Sequence, residues 1–61
     1  MPAVKAFRES SGLAQHDVAA AAGMTDERLA EIEQGTSTPR GLELAMLSDV
    51  LDVPVDMLTN E

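Results

Sequence analysis

Cysteine, tryptophan and tyrosine are absent, and Phe7 is the sole aromatic among 61 residues. Without cysteine there is no disulfide staple and no thiolate zinc site. One histidine, His16, is too few to hold a metal by itself. Runs of β-branched and aromatic residues are missing, and no Asn-Gly or Asp-Gly turn joins alternating segments, which argues against hairpins. No apolar run approaches the ~18 residues that would suggest a membrane span. The N-terminal residues show no basic run followed by an apolar stretch, so nothing reads as a secretion signal. No nucleophile, base and orienting group can be named together, and no glycine-rich phosphate cradle appears. Ser10, Ser11 and Ser48 have turn or helix roles. The expectation is a chain that is not an enzyme and uses no cofactor or metal.

Positive charge is also scarce. Lys5, Arg8, Arg28 and Arg40 stand against eleven acids, for a net charge of −7. That is the wrong sign for a simple electrostatic grip on nucleic acid. The length allows one domain, 1–61. A domain of this size buries only about 60% of the surface that its unfolded chain exposes. Each core residue and each helix cap therefore matters.

What is present is helical punctuation. Pro2 suits a helix start, where its missing N–H would be unpaired anyway. Val4 and Phe7 share a face, and Ser10-Ser11-Gly12 ends the helix, with Leu13 as a core plug at the turn. A second helix runs from about Gln15 to Ala22, burying Val18, Ala19 and Ala22, and Gly23 stops it. Thr25 is a good N-cap for a third helix with Leu29 and Ile32 inward. Its outward face carries Asp26, Glu27, Ala30, Glu31 and Gln34. Gly35 stops it, and Thr36-Ser37-Thr38 is a polar loop. Thr38-Pro39 reads as N-cap and first-turn proline of a fourth helix carrying Leu44, Leu47 and Leu51. Asp52 is a plausible left-handed terminator. Val53-Pro54 opens a short fifth helix with Val55 and Leu58 inward.

Several residues together carry a resemblance: Phe7-Arg8-Glu9, Gly12-Leu13-Ala14-Gln15, Val18-Ala19, Ala22-Gly23-Met24-Thr25, Leu29, Ile32-Glu33 and Gly35. Pro39, Leu44, Leu47, Leu51, Val53, Val55-Asp56 and Leu58 continue it. In this ordered set the chain resembles the Cro/C1-type (xenobiotic-response-element) helix-turn-helix family over residues 4 to 59. The resemblance implies an all-α, compact five-helix bundle of the lambda-repressor-like DNA-binding domain fold. Its helix-turn-helix unit would span about 14–35, with the third helix in the major groove. It also implies a DNA-binding transcriptional regulator of repressor or antitoxin type, acting as a dimer on double-stranded DNA in a bacterial or viral cytosol. Arg8 and Glu33 occupy positions that pair in similar domains, although Arg8 has a phosphate contact as its alternative.

The implied DNA-binding residues are Gln15, Thr25, Arg28, Gln34, Thr36, Ser37 and Arg40. Gln15 is either a phosphate contact or a solvent-exposed helix residue. Arg28 either reads guanine bidentately or pairs with Glu31 one turn on. The chain departs from the family at Asp26, Glu27 and Glu31, where DNA-binding relatives often carry neutral or basic residues. First-turn acids gain about 0.3–1 kcal/mol from the helix dipole, which accounts for Asp26 and Glu27 but not Glu31. Ala14 replaces the usual Ser or Thr cap, and Arg40 replaces a common Ser. His16 is an exposed helix residue or a pH-sensitive surface contact.

Leu42, Met46 and Met57 are apolar at positions often polar in relatives. They form either a homodimer or protein-partner interface, or an ordinary scatter of exposed apolar residues. Two functions follow. One is the DNA-binding regulator. The other is an acidic helix-turn-helix domain used as a protein-interaction or assembly module with weak or no DNA binding.

Overall fold

The computed structural model describes residues 2–59. It is all-α, with α1 Pro2–Ser10, α2 Gln15–Ala21, α3 Asp26–Gln34, α4 Gly41–Leu51 and α5 Val55–Thr59. The five helices close into a body with extents of 23 × 23 × 18 Å. Each helix contributes only a few apolar side chains, so the core has to be shared. Val4, Val18, Ala19, Ala22, Leu29, Ile32, Leu47, Leu51 and Leu58 form it, one or more from every helix. Phe7, Met24, Leu44, Val50 and Val53 pack around its edge. Burying a Val, Leu or Ile side chain contributes about 1.5–3 kcal/mol, so this cluster is the main force for folding.

The turns are set by backbone chemistry. Gly23, at φ +72°, lets the chain reverse between α2 and α3. A side chain would be strained in that left-handed region. Thr25 then caps α3: its Oγ1 accepts the Arg28 N–H at 3.0 Å. At the end of α4, Asp52 takes φ 58° and terminates the helix, as its tolerance of that region predicts.

Three local expectations are corrected. α4 begins at Gly41 with Arg40 as its N-cap residue, not at Thr38-Pro39. Pro39 is instead a buried loop residue. An arginine side chain has no acceptor for a cap, and the compensating contact runs the other way, from the Arg40 N–H to Glu43 Oε1 at 2.8 Å. Leu13 is 37% exposed and so is not a core plug. Val55 is exposed to the same extent, leaving Leu58 as the inward residue of α5. The second helix lies where expected, Gln15–Ala21 with Ala22 buried as its C-cap residue.

α3 packs chiefly on α1 and α2, while α4 packs on α1, α2 and α5, and α5 packs on α1. That arrangement turns the polar face of α3 outward.

Candidate nucleic-acid interface

The α2–turn–α3 unit presents Asp26, Glu27, Glu31 and Gln34 to solvent, with Ala30 half-buried among them. An α-helix with its side chains is about 10–12 Å across, and B-DNA's major groove, about 12 Å wide, admits one. The geometry of α3 therefore fits a groove, while its exposed charge is negative.

Arg28 extends from this helix but is fully engaged within the chain. Its Nε donates to Glu43 Oε2 at 2.8 Å and its Nη2 to Glu43 Oε1 at 2.7 Å. Nη2 also donates to the Thr38 carbonyl at 3.1 Å, and Nη1 donates to Ser37 Oγ. Glu31 lies 3.5 Å away on the same helix, so the pair foreseen one turn on is present but secondary. The Arg28 guanidinium and the Arg40 N–H hold the Glu43 carboxyl down to about 2. Glu43 raises the Arg28 pKa in return. The cluster joins α3, the 36–40 loop and α4, placing Ser37 beside Arg28 while Thr36 and Arg40 stay exposed.

Sequence reasoning missed Glu43. Its position three residues after Arg40 has the spacing of a capping glutamate. Nothing in the one-dimensional pattern connects it to a residue 15 positions earlier.

A second cluster lies where α1 meets the end of α3. Arg8 Nε donates to Glu33 Oε2 at 2.7 Å, and Nη2 donates to Oε1 at 3.3 Å. Arg8 Nη1 donates to the Leu13 carbonyl at 2.9 Å, holding the α1–α2 turn. Glu33 is the one buried charged residue among those described. Gln15 adds a third tie, its Nε2 donating to Glu33 Oε1 at 3.1 Å. Gln15 is half-buried and occupied by an internal partner, with its amide oxygen and second N–H left over.

Across the α2–α3 turn, His16 Nδ1 lies 2.9 and 3.1 Å from the two Asp26 carboxylate oxygens, so the ring N–H donates to the carboxylate. Asp26 raises the His16 pKa, with Asp17 adding to the effect. Both partners are exposed. Of the cations, Lys5 and Arg40 form no salt bridge among the described residues. Also among the described residues, no group of three or more His, Asp or Glu is arranged to hold a metal, and no helix is long and apolar enough to cross a membrane.

Leu42 is 75% exposed, Met57 49% and Met46 37%. They lie on α4 and α5, on elements other than those that carry the polar face of α3.

A family model described as helix-turn-helix matches residues 4–58. No curated protein matches the chain, and no solved structure does.

Proposed function

The chain belongs to the helix-turn-helix family, and from that premise we propose that it is a DNA-binding transcriptional regulator of the Cro/C1 type, of repressor or antitoxin kind. Membership of the family supports DNA-binding regulation in general, and an HTH domain of this kind is not an enzyme. The observation that carries the proposal is the outward polar face of a groove-sized α3, braced on α1 by Arg8 and Glu33. In this reading α3 enters the major groove. Gln15, Thr25, Gln34, Thr36, Ser37 and Arg40 surround it and position the backbone through phosphate contacts. The domain acts as a homodimer in the cytoplasm, with Leu42, Met46 and Met57 as the candidate subunit contact.

A second reading is favoured by a specific observation. Asp26, Glu27 and Glu31 are exposed while Arg28 is neutralised by Glu43. A face of that sign suits a basic protein partner. Titration against mixed duplex DNA at about 50 and 200 mM salt separates the two readings. The regulator reading expects binding at the lower salt with a shallow salt slope. No binding at high micromolar protein and low salt sinks it for this domain. Loss of duplex binding on Gln15→Ala, with the fold intact, sinks the protein-module reading as the main role.

A further inference from the structure

We infer that Glu43 is an internal anion that competes with phosphate for Arg28, making it a positioning residue that keeps the one cation of α3 out of the nucleic-acid face. The inference rests on the DNA reading for its consequence, while the competition itself is a property of this chain.

Three observations converge. First, the Arg28–Glu43 pair has the two-pronged geometry by which arginine holds a phosphate or the edge of guanine. The carboxylate thus occupies the same donors that a nucleic acid would need. Second, two further donors are taken by the 36–40 loop, at Ser37 Oγ and the Thr38 carbonyl. Four of the five guanidinium N–H groups thus have an acceptor within the chain, and Glu31 lies 3.5 Å from Nη1. Third, α3 packs chiefly on α1 and α2, so this pair is a polar tie across its seam with α4 rather than part of the core. The two side chains are 23% and 21% exposed, so an incoming anion can reach them. Glu43 is also fixed from its own side, because it accepts the Arg40 N–H at the start of α4. It therefore does not swing away freely.

The consequence is a closed and an open arrangement. Closed, α3 presents Asp26, Glu27 and Glu31 while its own arginine is held on Glu43. Open, Arg28 is released toward the groove, and the face gains one positive contact while Glu43 remains on α4.

Glu43→Gln tests this, because glutamine keeps the shape and its oxygen still accepts the Arg40 N–H. Nitrogen-15 NMR of the Arg28 Nε–H, identified by its loss in Arg28→Lys, is followed during titration with inorganic phosphate. The wild-type signal is expected to stay put, and that of Glu43→Gln to move. On a short mixed duplex, Glu43→Gln is expected to bind about fivefold tighter or better. Its salt slope should steepen by about 0.9. Arg28→Gln added to Glu43→Gln should cancel the gain. Glu27→Gln, which removes the same charge from an exposed site on α3, should not reproduce the steeper slope.

A wild-type Arg28 that responds to phosphate as readily as the variant overturns the competition, whether or not DNA binds. So does a gain in duplex binding that survives Arg28→Gln. If only the variant's Arg28 responds to phosphate and neither protein binds duplex, the competition stands and the DNA reading falls. Thermal melting of each variant establishes that the comparison is between folded proteins. Should Glu43→Gln not fold, the wild-type phosphate titration and the shorter Glu43→Asp carry the same decision.

Discussion

His16 and Asp26 face each other at the starts of α2 and α3, and both side chains are largely in water. Their pairing follows from the turn at Gly23, after which α3 packs back on α2. The His16 pKa is raised, by the hydrogen bond and charge of Asp26 first and by Asp17 in addition, against the opposing effect of desolvation. The folded-state value lies above the unfolded value of about 6.5. The pair's contribution to stability is therefore fully present below that pH and is lost as pH rises through the folded value. NMR titration of the His16 ring is expected to give a lower pKa in Asp26→Asn than in the wild type. An unchanged value would show that the contact is not made in solution. The sequence pointed to an exposed histidine with a pH-sensitive contact as its alternative. Choosing between them required knowing that residues ten positions apart become neighbours.

At the scale of the element, the helices differ in how well their ends are satisfied. α3 has a threonine cap, two first-turn acids and a left-handed glycine at its end. α2 has none of the first kind of support: Ala14 is its N-cap residue and makes no side-chain hydrogen bond. A helix of seven residues is far below the length at which isolated helices persist, so α2 is held by packing on α3 and α4. Ala14→Ser restores an acceptor at the exposed N-cap and is expected to add about 1 kcal/mol. For a domain of this size that is a rise of about 4–8 °C in Tm, measurable by circular dichroism. No rise would mean that the serine hydroxyl does not reach the α2 N–H groups. Thr38-Pro39 is a good local start signal, yet α4 starts at Gly41. Tertiary packing overrode it by burying Pro39, and the cap passed to the Arg40 N–H and Glu43. For Leu13 and Val55, an apolar residue beside a turn is consistent with burial, but nine core positions already fill the small interior.

For the whole molecule, charge and apolar surface are the open quantities. Four cations serve 61 residues, and two of them, Arg8 and Arg28, are committed to carboxylates inside the fold. Breaking a buried pair such as Arg8–Glu33 costs about 3–5 kcal/mol. A domain of this length has a total stability of roughly 3–9 kcal/mol, so Arg8 serves the fold first. Few cations then remain for DNA, and a second subunit would double their number. Sedimentation equilibrium is expected to show self-association of the wild type, weakened in Leu42→Glu and in Met57→Glu with helicity retained. A monomer across the accessible concentration range would remove the dimer and leave those residues as ordinary exposed apolar surface.

The order of helices, the turn glycines, most of the core and the cap at Thr25 are set by local rules that act within a few residues: periodicity, backbone freedom and capping. They were accordingly legible in the sequence alone. The negative charge of the outward face of α3 was legible for the same reason, since residues on one helix face follow from spacing. What becomes of the charges was not. Arg28 meets Glu43 across 15 residues, Gln15 meets Glu33 across 18, and His16 meets Asp26 across ten. Each meeting joins elements that come together only in the folded chain, and only the tertiary structure shows that the arginine of α3 already has an anion.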